Sequence, residues 1–170
     1  MEKRNVTVSA IVAAIVLIGD QLSKHWAETW LRTNGEYKIW DGVLHLRYVE
    51  NRGAAFGVMQ GGKWFFLAIT GIACAAMLYF LIKERKRLHF MMTFSLALLL
   101  SGAIGNLIDR VALGYVRDMI YVALIDFAVF NVADMAVTVG CCLLVLDLLF
   151  FKGKKYMEMM DKKPQTGENS

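Results

Sequence analysis

The stretch "FMMTFSLALLLSGAIGNLI" runs from Phe90 to Ile108 without a charged side chain. A helix that crosses the roughly 30 Å hydrocarbon core of a bilayer needs about 20 such residues. "WFFLAITGIACAAMLYFLI" (Trp64 to Ile82) meets the same requirement. Two further apolar runs are interrupted. "NVTVSAIVAAIVLIGDQLSKHWA" (Asn5 to Ala27) carries Asp20 and Lys24, and "VADMAVTVGCCLLVLDLLFF" (Val132 to Phe151) carries Asp134 and Asp147. Hydrophobic residues make up 57% of the 170 positions, above the globular norm of about 45–50%. The chain reads as an all-α membrane protein, a bundle of four transmembrane helices.

Residues 1–151 are expected to form one domain, with a polar tail over 152–170 that holds the only proline and is expected to be disordered. Lys3 and Arg4 precede the first apolar run as they would in a signal peptide, yet no A-x-A-like cleavage site follows, so the run reads as a retained anchor. Basic residues set the orientation. Lys83, Arg85, Lys86 and Arg87 crowd the connection between the second and third spans, and Lys152, Lys154 and Lys155 follow the fourth. Both termini are therefore expected in the cytoplasm, and the connections over about 28–63 and 109–131 outside.

This topology and contact with anionic lipid account for the formal net charge of +4. No basic-aromatic surface supports nucleic-acid binding. Cys74, Cys141 and Cys142 all fall within spans and read as small packing residues. His25, His45 and His89 have no partners at metal-ligand spacing. No metal or cofactor is expected. Trp26, Trp30, Trp40 and Trp64 read as interfacial anchors.

In the first outward connection, "DGVLHLRYVE" (Asp41 to Glu50) alternates in part, as a half-buried strand does. "NRGAAFG" (Asn51 to Gly57) follows, small enough for close backbone approach. A small extracytoplasmic sheet segment is expected here.

A charge inside a span costs about 2.5–3.5 kcal/mol at mid-depth and needs a reason. Placed by depth, Asp20, Lys24, Asn106, Asp109, Arg110, Asn131 and Asp134 all fall near the outer surface, where Asn51, Arg52 and Asp118 also lie. Asp147 is the exception, near the inner end. Asp20 and Lys24 are four apart, acid first, and read as a neutralised pair. Arg110 shares a face with Asn106 and suits a phosphate or carbonyl, or pairing with Asp109. Gly102 and Gly105 suit close helix packing. Asn131 and Asp134 share a helical face; an N-cap explains such a pair as readily as a site does. Asp118, in "YVRDMIY", could be a solvated loop charge. If Val111 to Phe127 folds back, Asp118 meets Asp134, and two facing carboxylates share one proton. The ionised member then takes a proton from water while the protonated one polarises a carbonyl. A small ion- or proton-coupled transport protein is the rival reading, since it too would hold acids in its spans.

The blocks "GDQLSKHW" (Gly19 to Trp26), "VENRGAAFG" (Val49 to Gly57), "SGAIGNLIDRVALGYVRDMI" (Ser101 to Ile120) and "FNVADMAVTVG" (Phe130 to Gly140) resemble lipoprotein signal peptidase (signal peptidase II) in order and spacing, over about residues 10–150. The resemblance implies an aspartyl endopeptidase of the bacterial cytoplasmic membrane that removes the signal peptide from diacylglyceryl-modified prolipoproteins, cutting before the lipid-bearing cysteine. It implies catalytic Asp118 and Asp134, substrate-binding Asn51, Asn106, Arg110 and Asn131, and supporting Asp20 and Lys24. It also implies a short extracytoplasmic helix, a monomer, and inhibition by globomycin-type cyclic peptides. "ALIDFAVFN" lacks the proline that the family pattern carries before "FN".

Overall fold

The computed structural model describes residues 3–53, 62–84, 87–151 and 153. Helix α1 (Lys3–Trp26) continues through one wider turn, Ala27–Leu31, into α2 (Arg32–Asn34). Strands β1 (Tyr37–Trp40) and β2 (Leu44–Asn51) follow, then α3 (Lys63–Lys83), α4 (Phe90–Ala112), β3 (Val116–Val122) and α5 (Val132–Phe150). Among the described residues, four helical stretches are long and apolar enough to cross a membrane: Asn5–Asn34, Lys63–Lys83, Phe90–Ala112 and Val132–Phe150. These are the four spans expected from the sequence.

Helix α4 is the hub and packs against α1, α3 and α5. Its glycines make this possible. A Cβ on Gly102 would collide with the backbone oxygen of Ala133, and one on Gly105 would lie 2.6 Å from Asp20 Oδ2. Small residues at such crossings let helix backbones approach closely. At the far end of the bundle Leu88, Met92 and Leu96 form a core with Phe80, Leu144 and Leu148. Asp147 is fully buried there, with its Oδ2 2.9 Å from His89 Nε2. Helix α3 has no buried residue.

The three strands form one antiparallel sheet in the order β1-β2-β3. Only β2 was foreseen; β3 lies within the stretch expected merely to fold back. His45 pins the hairpin, with Nδ1 2.6 Å from Glu36 Oε1 and Nε2 accepting the Gly42 N–H at 3.0 Å. Met119 of β3 packs with Ala27 and Leu31 at the top of α1, seating the sheet on the helices. After β3 comes a single tight turn, Ala123–Ile125, closed by Asp126 in the left-handed region at φ 47°. Tyr121 donates to Asp126 Oδ1 at 2.6 Å, so this turn is built without the proline of the family pattern. All of the expected polar tail except Gly153, and the Ala54–Gly57 part of the small-residue loop, lie outside the described residues.

Candidate active site

Asn131 is the N-cap of α5, in extended conformation at φ −134°. Its Oδ1 accepts the Asp134 N–H at 3.0 Å, while Asp134 Oδ2 accepts the Asn131 N–H at 3.1 Å. This is a reciprocal capping box. The capping explanation for the pair is therefore correct, with Asn131 as the cap, and it leaves one carboxylate oxygen over. Asp134 Oδ1 accepts from Asn106 Nδ2 on α4 at 2.7 Å.

Asp118 arrives from the sheet. In the β2–β3 register it lies opposite Val49, two residues from Asn51 on the same face. Asn51 Nδ2 donates to Asp118 Oδ2 at 3.0 Å, and Asn131 Nδ2 donates to Asp118 Oδ1 at 2.6 Å. Asp118 is 1% exposed, which overturns the solvated-loop reading. Asn131 thus holds both acids, one by its backbone and one by its side chain. Arg110 Nη2 reaches the Gly53 carbonyl at 3.4 Å, and its guanidinium lies 5.1 Å over the Phe66 ring. A cavity of about 600 Å³ joins Asn51, Asn106, Arg110, Asp118 and Asp134, with Phe130 among its apolar walls.

Behind the acids lies a polar layer whose Asp20, Lys24 and Asp109 are fully buried. Lys24 Nζ donates to Asn106 Oδ1 at 2.9 Å and sits 2.8 Å from Asp20 and 3.6 Å from Asp109. Asn131 Nδ2 also reaches Asn106 Oδ1, at 3.1 Å. Lys24 and Asn131 Nδ2 offer only hydrogens there. The Asn106 oxygen must face them, so its NH2 must face Asp134. Asp20 Oδ1 accepts the Ala133 N–H at 2.9 Å, another open amide at the start of α5.

Asp109 and Arg117 were not assigned to this layer from the sequence. Asp109 accepts from the Arg117 backbone N–H at 2.9 Å, from Nε at 3.2 Å and from Nη2 at 2.7 Å. Arg117 also reaches Glu28 at 2.9 Å and Gln21 at 3.2 Å. These bonds hold β3, and with it Asp118, against α1 and α4. Asp109 is thereby engaged by Arg117 and Lys24, not by its neighbour Arg110. The Asp109 carboxylate holds the Arg117 guanidinium above its ordinary pKa.

Burial, and then the neighbouring charge of Asp134, push the Asp118 carboxyl up to about 7, against the opposing pull of the Asn51 and Asn131 amides and Lys24. A carboxyl so poised carries a proton over much of the neutral range, and such groups concentrate at functional sites. Among the described residues, no three His, Cys, Asp or Glu side chains are grouped to hold a metal ion.

Four apolar spans, a small sheet resting on one end, and two carboxyls linked through Asn131 beside one cavity define a membrane-embedded protein with a polar site. The family model for Signal peptidase (SPase) II matches residues 12–150. A lipoprotein signal peptidase of Streptococcus thermophilus is 46% identical over 142 residues, covering 83% of this chain and 92% of the relative. One of Clostridioides difficile is 43% identical over 145 residues, covering 85% and 97%. A solved structure described as a bacterial membrane enzyme, determined by the in meso method, superposes with a TM-score of 0.77 at 33% identity, covering 95% of each chain. The chain belongs to the signal peptidase II family and is a peptidase.

Proposed function

We propose that this chain removes the signal peptide from diacylglyceryl-modified bacterial prolipoproteins, with Asp118 and Asp134 as its catalytic dyad. The observation that carries this reading is the bridging of the two acids by buried Asn131 behind a cavity that both acids line. Asp118 holds the shared proton, in keeping with its raised pKa. Asp134, fixed by the Asn131 N–H and the Asn106 amide, is the ionised member.

The lipid-modified segment enters sideways from the bilayer, with its acyl chains left in lipid. Met135 and Val139 of α5, 47% and 49% exposed, line that approach. Water attacks the carbonyl carbon of the peptide bond preceding the modified cysteine, and Asp134 takes its proton. Asp118 gives its proton to the carbonyl oxygen, forming a tetrahedral diol. As the C–N bond breaks, Asp134 passes its proton to the leaving nitrogen, and Asp118 recovers one from the diol. Arg110, beside the Gly53 carbonyl, orients the peptide; Asn51, Asn106 and Asn131 orient the acids. Asp20 and Lys24 act through Asn106 and the start of α5.

The dyad end of the bundle faces outward and both termini lie in the cytoplasm of a bacterial inner-membrane protein, in keeping with the basic cluster between α3 and α4. One chain supplies every group named, so a monomer suffices. A globomycin-type cyclic peptide would compete for the same cavity. The transport reading has no observation in its favour: among the described residues, the buried charges outside the layer around the dyad include Asp147 at the opposite end, with apolar α4 and α5 sequence between.

The test is a gel-shift assay with purified protein and a lipidated prolipoprotein. Wild type should release the signal peptide, an unlipidated substrate should be cut far more slowly, and Asp134→Asn should be inert though folded. Cleavage by folded Asp134→Asn at the wild-type rate would remove Asp134 from the mechanism.

A further inference from the structure

Arg110 lines the dyad cavity, and a long side chain is useful there only if its direction is fixed. A guanidinium carries five N–H donors in a rigid fork. Among the described residues Arg110 makes one hydrogen bond, from Nη2 to the Gly53 carbonyl at 3.4 Å, longer than the usual range of about 2.7–3.2 Å. Asp109, its neighbour in sequence, is taken by Arg117 and Lys24. So loosely tied a fork can meet a peptide carbonyl, and can equally swing away from it.

What steadies the fork comes from α3. Arg110 Cζ lies over the Phe66 ring, 5.1 Å from its centroid. A cation is attracted to an aromatic face within about 6 Å. Phe66 is half-buried and is not among the residues that line the cavity. It therefore holds the cation from outside, and leaves oxygen acceptors to the remaining N–H groups. Phe66 sits in the first turn of α3, where its N–H donates to the Gly62 carbonyl at 3.0 Å. Lys63 packs beside it against Gly114, where a Cβ would come 3.5 Å from Lys63 Nζ. The other end of α3 is anchored by Phe80 and Leu81 on the core around Met92. A helix that buries none of its residues thus delivers one ring to the site.

We propose that Phe66 is a positioning residue, which aims the Arg110 guanidinium at the peptide of the bound substrate. The inference rests on the reading of Arg110 as a substrate-binding residue. Arg110 grips the peptide before and during the reaction alike, so loss of its support weakens binding more than it slows the chemical step.

Steady-state cleavage of a lipidated prolipoprotein by the purified full chain tests it. Phe66→Leu keeps an apolar side chain at a half-buried position and should leave Tm unchanged. It should raise KM by about 3- to 30-fold, the range of a cation–π contact, with kcat within about twofold. Phe66→Trp, which keeps an aromatic face, should retain the wild-type KM. Pentafluorophenylalanine at position 66 keeps the shape but reverses the ring's charge distribution, and should raise KM as leucine does. In an Arg110→Gln background, Phe66→Leu should add no further loss. An unchanged KM in Phe66→Leu, a wild-type KM with the fluorinated ring, or an equal loss with and without Arg110 would overturn the proposal. Wild type that fails to cleave the substrate would instead refute the peptidase reading.

Discussion

Asp118→Asn should raise stability at alkaline pH while abolishing turnover, and both effects follow from its surroundings. Two amides point hydrogens at the two Asp118 oxygens, Asn51 at 3.0 Å and Asn131 at 2.6 Å. An asparagine has one oxygen to offer, so one of these donors loses its acceptor, at a cost of about 1–3 kcal/mol. Against this stands the charge. The Asp118 pKa rises from 3.8 to about 7 on folding. The folded chain therefore binds the proton more tightly than the unfolded one, and wild-type stability falls as pH climbs through that interval. Integrated from pH 5 to pH 8, the loss is about 3 kcal/mol. Asparagine suffers no such loss. Asp118→Asn should be near wild-type stability at pH 5 and more stable by about 1–3 kcal/mol at pH 8. For a chain this long, the pH-dependent part corresponds to roughly 5–10 °C in Tm. Thermal unfolding in detergent at the two pH values, with cleavage of lipidated substrate measured alongside, checks both halves. A stability difference independent of pH would refute the raised pKa, and retained turnover would refute the role.

Three other substitutions probe the supporting structure. Lys24→Met strands Asp20 as a buried carboxylate and frees the Asn106 amide to turn; it should cost about 3–5 kcal/mol of stability and lower kcat more than KM, with Asp20→Asn in the same chain restoring part of the Tm but not of kcat. Gly105→Ala puts a methyl 2.6 Å from Asp20 Oδ2 and 3.2 Å from the Ala133 Cβ; overpacking of this kind should lower stability by about 1–3 kcal/mol in the same unfolding assay. Asp147→Asn changes a residue about 20 Å along α5 from Asp134 and should leave the cleavage rate within a few-fold of wild type.

The spans were legible because a bilayer demands long charge-free runs, and Phe90 to Ile108 supplies one outright. The pairing of Asn131 with Asp134 was legible from helical spacing, and the capping box carries it. Asn51, Asn106, Asp118 and Asp134 line one cavity, an arrangement that spacing alone could not supply, because Asp118 reaches it across a fold-back. What sequence reading missed was β3 and the Arg117–Asp109 clamp. Arg117 has no role in the reading of the sequence, where only Asp118 of this stretch is weighed. The signal was present in "YVRDMIY": a strand with so many apolar neighbours cannot leave two adjacent charges in water on opposite faces, so each needs a buried partner. The partners, Asp109 and Glu28, lie on other elements, and no local pattern names them.

In the proposed mechanism Asp118 and Asp134 divide one proton between them at the working pH. The most direct measurement is the pH dependence of kcat/KM for purified wild type on lipidated substrate. The profile should be a bell, with an acid limb as the ionised carboxylate is protonated and an alkaline limb near pH 7 as the last shared proton leaves. Activity that keeps rising through pH 9 would mean that no shared proton is needed, and would contradict it.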